Sequence, residues 1–199
     1  ASITVAGDSV AITSGITAYA DTYLLSVDTF TIPFRVAFGL NLSQRIANQT
    51  FYVEAVSVDP VTGVPDGKNT IGLAFDGTTA TSAKSRVQNG GNTIVETSQT
   101  FPTSAGSSLY EIEPFSDESW FHGMTADSTA QRTNSYRKHS PCPDPKAVYK
   151  LRIRWLNGGT APASTTTATL PFIVLQDYSE VKADITAGRG ISVAGQGIY

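Results

Sequence analysis

The clearest pattern in the chain is alternation. Between Lys146 and Leu156 the odd positions Tyr149, Leu151, Ile153 and Trp155 are apolar, with Lys150, Arg152 and Arg154 between them. That period of two predicts a strand with one face in a core and a basic stripe outside. Leu170–Leu175 is apolar at both parities, as in a strand covered on each side, with Pro171 placing its start at an edge or a strand end. Thr29–Leu40, which contains Pro33, and Phe51–Val58 read as further strands, rich in aromatic and β-branched residues. Turn chemistry separates these runs. Asp59–Gly67 supplies fixed φ at its prolines and positive φ at its glycines, enough to join Phe51–Val58 to a strand at Thr70–Phe75. Asn89-Gly90-Gly91-Asn92 does the same between Ala83–Gln88 and Thr93–Thr100. Helical signals are confined to a turn or two at Leu40–Ala47 and a short piece at Asp117–Ser128. Short strands returning between Gly, Pro, Asn and Asp clusters predict an all-β fold, an antiparallel β-sandwich or jelly-roll-like domain.

The ends change the picture. Residues 1–25 carry few large side chains, and 183–199 hold Gly188, Gly190, Gly195 and Gly197 with no aromatic before Tyr199. Neither stretch can build a core alone. A seventeen-residue extended segment reaches roughly 55 Å, so both read as arms for a neighbouring subunit. The expected division is an N-terminal arm (1–25), a β-sandwich domain (26–182) and a C-terminal arm (183–199).

Composition narrows the function classes. Ser and Thr make up 45 of the 199 residues while charged residues are only 16%, so hydroxyls dress the surface. A net charge of −3 argues against nucleic-acid phosphates as the partner. No apolar run approaches the 18 residues that a membrane-spanning helix needs. The small polar start at Ala1 fits loss of an initiator Met, and with no basic stretch ahead of an apolar one a signal peptide is expected to be absent or already removed. One cysteine, Cys142, forms no intramolecular disulfide, and no Cys/His spacing suits structural zinc.

Candidate chemistry is sparse. Cys142 lies three residues after His139, which raises a Cys–His nucleophile, but Pro143 removes the backbone donor that would serve an oxyanion hole. His122 sits among Glu118, Trp120, Phe121 and Asp127, with Glu111, Glu113 and Asp117 nearby. Such carboxylates suit glycosidase or metal chemistry. Glu111 and Glu113, two apart on a strand, share a face, as the solvated acids of ordinary β proteins also do, and two histidines in the whole chain make a metal triad hard to assemble. The Asp59–Gly67 loop lacks the ligand spacing of a calcium loop, and Gly188-Arg189-Gly190 lacks a phosphate-loop context. The basic cluster Arg132, Arg137, Lys138, His139, Lys146, Lys150, Arg152 and Arg154 reads as a solvated strand face. On these residues no catalytic, cofactor-binding or metal site is assigned and no cofactor is expected.

Several phrases carry a resemblance: Asp117-Glu118-Ser119-Trp120-Phe121-His122, Ser135-Tyr136-Arg137-Lys138-His139, Pro143–Arg152 and the tail Glu180–Gln196 with Ile185-Thr186-Ala187-Gly188-Arg189-Gly190. Together, over about residues 70–199, they resemble virion structural proteins of tailed bacteriophages, most of all a head-decoration (cement) protein. The resemblance implies a non-enzymatic β module located in the virion and assembled in the host cytoplasm. Its expected partners are the major capsid protein or other virion subunits, and copies of itself in a dimer or trimer, with no nucleic acid or membrane. A tail-fibre, baseplate or receptor-binding module contacting host glycans is the alternative.

Overall fold

A computed structural model of the protein describes residues 1–6, 9–77, 83–99, 108–125 and 133–178. Among the described residues there are fourteen strands and no helix: β1 (Ser2–Ala6), β2 (Ser9–Thr13), β3 (Asp21–Leu25), β4 (Phe34–Leu42), β5 (Gln49–Val58), β6 (Pro65–Asp76), β7 (Ala83–Gln88), β8 (Val95–Gln99), β9 (Ser108–Pro114), β10 (Ser119–Thr125), β11 (Thr133–Lys138), β12 (Tyr149–Asn157), β13 (Thr167–Leu170) and β14 (Ile173–Asp177). They form two antiparallel sheets. The first has eight strands in the order β1-β2-β13-β4-β9-β10-β11, with β14 also paired to β4; the second has six, β3-β12-β5-β6-β7-β8. The expected antiparallel sandwich is the observed fold.

Aromatic side chains from the inner faces meet between the sheets. Phe38 and Tyr110 from the eight-stranded sheet stack at 5.5 Å, and Tyr110 meets Phe75 of the six-stranded sheet edge-on at 5.0 Å. Phe51 packs on Trp155 at 5.0 Å, and the Trp155 indole N–H donates to the Ile12 carbonyl at 3.0 Å, fastening one sheet to the other. Such ring pairs add roughly 0.5–1.5 kcal/mol each beyond the area they bury. On β12 the alternation holds, with Tyr149, Ile153 and Trp155 buried and Leu151 half-buried. Both expected hairpin turns are present. At the first, Asp59 Oδ1 accepts from the Val61 and Thr62 amides at 2.9 and 2.8 Å, and Gly63 adopts φ +67°. Asp59 is therefore occupied by donors, as a turn requires and a calcium loop does not.

Three expectations need correction. Residues 1–25, expected as an arm, supply strands to both sheets: β2 pairs with β13, β3 pairs with β12, and Ile12 is buried in the core. Small side chains there fit beside a crowded aromatic interior, so the lack of bulk reflects position in the sandwich. Leu170–Leu175 is two strands, not one. Pro171 interrupts it, β13 and β14 pair with successive stretches of β4, and Phe172 and Val174 point to solvent at 40% and 46% exposure. Neither expected helical piece forms among the described residues: β4 runs on to Leu42, and 119–125 is strand β10, while 126–128 lie outside the described residues. The C-terminal arm (183–199), Asp127, Arg132 and the Gly188–Gly190 motif lie outside the described residues.

Candidate functional site

Pairing across the eight-stranded sheet brings distant residues into one row on its outer face. On β9 the inward positions Tyr110 and Ile112 are core residues, so Glu111 and Glu113 face outward together. Register places His122 opposite Glu111 and Trp120 opposite Glu113 on β10, then Ser135 and Arg137 beyond them on β11. On the other side β4 contributes Arg35 and β14 contributes Gln176.

Arg35 is the hinge of this row. Its Nη2 pairs with Glu111 Oε1, its Nε stands 3.3 Å from Glu113 Oε1, and its Nη1 donates to Gln176 Oε1 at 3.0 Å. One guanidinium thus bridges two carboxylates, a charge-assisted arrangement that fixes both acids in orientation. His122 Nε2 lies 3.9 Å from the second oxygen of Glu113, while His122 Nδ1 shares a 2.8 Å hydrogen bond with Ser135 Oγ. The Trp120 and His122 rings stack 5.8 Å apart, and the Arg137 guanidinium lies over the Trp120 ring at 5.1 Å. Among the described residues no three His, Cys, Asp or Glu side chains converge to hold a metal ion.

Glu118 closes the row. It accepts from the Trp120 indole N–H at 2.9 Å and pairs with Arg137, and these interactions, the indole bond first, hold its carboxyl below the ordinary value of 4.5. A depressed carboxylate pKa contributes order that is present above the unfolded value and is lost as pH falls through the folded one. Acid titration followed by Trp fluorescence should therefore show a transition with a midpoint below 4.5, and Trp120→Phe should remove it. A midpoint at or above 4.5 contradicts the bond.

Cys142 takes no part in such chemistry. Its thiol donates to the main-chain carbonyl of His139, burial pushes its pKa up, and the His139 ring faces Glu118 at 3.7 Å instead. The basic cluster is solvated only in part: Arg137, His139 and Lys146 are exposed, but Arg152 binds Glu54, Arg154 makes a two-pronged pair with Asp21 at 2.8 Å, and Arg137 binds Glu118.

The outer face of the six-stranded sheet carries a second polar network that sequence reasoning missed. Glu54 on β5 is fully buried beneath Arg152, 2.7 Å away, and Arg86, 3.8 Å away. Tyr52 lies between Arg86 and Arg154. Gly72 permits this, because a Cβ there would overlap Glu54 Cβ and the Val53 carbonyl. Arg35 was missed as well; the available signal was a lone cation in the apolar run 34–40, opposite an acid pair.

No family model and no curated protein sequence matches the chain. Solved structures do match. An endo-β-1,3-glucanase from Pyrococcus furiosus aligns with TM-score 0.66 at 10% identity, over 88% of this chain and 77% of its own. A β-glucanase from Bacillus licheniformis gives 0.61 at 11% identity, over 88% and 81%. A structure from work on endo-acting O-glycanases of the human gut microbiota gives 0.67 at 10% identity, over 88% and 82%. At these identities the likeness is one of fold. It nonetheless overturns the resemblance to tailed-phage virion proteins and, with it, the expected non-enzymatic decoration or tail-fibre role, because the matching sandwiches are glycoside hydrolases. Three of the phrases that carried the resemblance are strands and turns of this sandwich: 117–122 begins β10, 135–139 lies in and just after β11, and 143–152 leads into β12; the fourth, Glu180–Gln196, lies outside the described residues.

Proposed function

We propose that this protein hydrolyses glycosidic bonds in a polysaccharide, and that Glu111 and Glu113 are its working carboxylates. The observation that carries this reading is the Arg35-bridged acid pair, the two acids partly exposed on an open sheet face of a sandwich that polysaccharide-cleaving enzymes share. Carboxyl groups gripped by one guanidinium favour the close spacing of about 5–5.5 Å used by retaining enzymes over the roughly 6.5–9.5 Å of inverting ones. Glu111, paired to Arg35 Nη2, attacks the anomeric carbon. Glu113, with His122 beside its free oxygen, gives a proton to the departing oxygen and then takes one from the water that releases the sugar. The candidate substrates are β-1,3- and mixed β-1,3-1,4-linked glucans and mucin O-glycans, those of the structural neighbours.

Phe172 supplies a stacking surface on the same face. Gly39 makes room for it, since a Cβ there would stand 2.8 Å from Pro171 and 3.0 Å from the Phe172 ring. Gly39 is paired with Leu109, two residues from Glu111 and four from Glu113, which puts Gly39 about 7 Å along the strand direction from Glu111 and about 13 Å from Glu113. Phe172→Ala should raise KM for polymeric substrate by about 3–10-fold, with the loss on KM larger than that on kcat. An unchanged KM removes Phe172 from the site. The reading itself is tested by reducing-end release from the three glycan classes: release from at least one supports it, and none from any overturns it.

A further inference from the structure

Away from the carboxylate row, at one end of the six-stranded sheet's outer face, lies a hollow of about 380 Å³. Its walls include Asn48, Thr50, Tyr52, Asp76, Lys84 and Leu156. That volume lies within the range of roughly 300–1,000 Å³ that holds small ligands. The chemistry is mixed and charge-balanced: Lys84 Nζ sits 2.5 Å from Asp76 Oδ2, beside an amide, two hydroxyl-bearing side chains and an aliphatic one. Alternating donors and acceptors over an apolar patch suit the hydroxyls and C–H faces of a neutral sugar better than an anion or a hydrocarbon.

A second observation points to the same place. Among the described residues only two non-glycine residues have positive φ, Tyr19 at 57° and Asn48 at 64°. Both converge on Gly158, which lines the hollow: the Tyr19 amide donates to the Gly158 carbonyl at 3.0 Å, and the Gly158 amide donates to the Asn48 carbonyl at 2.8 Å. The Asn157 side chain pins the approaching segment by donating to the Gly15 and Thr17 carbonyls at 2.9 and 2.8 Å. The product is a tyrosine ring held 77% exposed over Gly159, the residue after the wall residue Gly158, on a backbone that β-carbon sterics disfavour. Strain of this kind collects where a ligand is gripped.

We propose that this hollow is a saccharide-binding site for a neutral glycan chain, with Tyr19 as its stacking residue and Asn48, Asp76 and Lys84 as its hydroxyl partners. It lies on the opposite sheet from Glu111 and Glu113, so it holds glycan without cleaving it, and it stands independently of the hydrolytic reading. Calorimetric titration of the full chain with hexasaccharides of β-1,3- and β-1,4-linked glucose tests it. Tyr19→Gly removes the ring and relieves the backbone together, so it should weaken binding at least about tenfold while Tm holds or rises. Thr50→Trp, which fills the hollow, should abolish binding at this site, and Glu111→Gln/Glu113→Gln should leave it in place. Loss of binding in the first two variants with no hydrolysis by the wild type supports this site and sinks the hydrolytic reading. Wild-type binding by Tyr19→Gly and Thr50→Trp, or no binding of either sugar by the native chain, overturns the site.

Discussion

Glu113→Gln should lower kcat on polymeric glucan by about 10²–10⁴-fold, the usual contribution of a positioned general acid and base. The amide keeps the shape of the side chain and can still approach His122 and Arg35, so the fold and the Glu111–Arg35 pair should survive. What is lost is a transferable proton at the departing oxygen. A substrate whose leaving group needs no protonation, such as a dinitrophenyl glycoside, should therefore recover most of the first step in this variant. Glu111→Gln removes the nucleophile and should be slow on both substrates. The contrast is set by where each acid sits: Glu111 is paired with the guanidinium, whereas the second oxygen of Glu113 is turned toward an imidazole. Equal losses on both substrates for Glu113→Gln would show that it merely orients Arg35.

Glu54→Ala should destabilise the fold by about 3–5 kcal/mol, read as a fall in denaturation midpoint with little change of slope. Glu54 is fully buried, with Arg152 at 2.7 Å and Arg86 at 3.8 Å, and Arg86 is itself almost wholly covered. Removing the carboxylate leaves the buried Arg86 and the largely covered Arg152 sharing too little negative charge, since among the described residues Arg86 keeps only Glu96 at 3.4 Å and Arg152 has no other acid paired with it. Burial of an unpaired charge is among the few mechanisms that make a single substitution this costly. Glu54→Leu fills the volume but leaves the same charges, so it should rescue little. A change below about 1 kcal/mol would mean that water reaches the pair and screens it.

Much of the fold was legible because strand alternation is a direct imprint of burial. Tyr149, Ile153 and Trp155 alternate with paired arginines for that reason, and the Asp59–Gly67 and Asn89–Asn92 turns announce themselves by glycines that adopt positive φ. What misled was composition read as architecture. Residues 1–25 looked too poor in large side chains to fold, yet β2 and β3 need little bulk because the rings they cover come from other strands. The site was half legible. Glu111, Glu113, Trp120 and His122 were visible as a local cluster, but on spacing alone they matched any solvated strand. The residue that distinguishes them, Arg35, lies 76 positions from Glu111 in the chain, and only the pairing of β4 with β9 brings it there. Glu54 was hidden by the opposite effect: it sits in an apolar run whose outer face is covered by arginines from β7 and β12.

The most direct test of the acid pair is the configuration of the first product. Wild-type protein digesting a mixed-linkage β-glucan, followed by proton NMR from the first minutes, should show the β anomer of the new reducing end before mutarotation brings in the α form, as two closely set carboxylates acting through a glycosyl-enzyme require. An α anomer first, or no new anomeric signal at any time, would contradict Glu111 and Glu113 as a retaining pair.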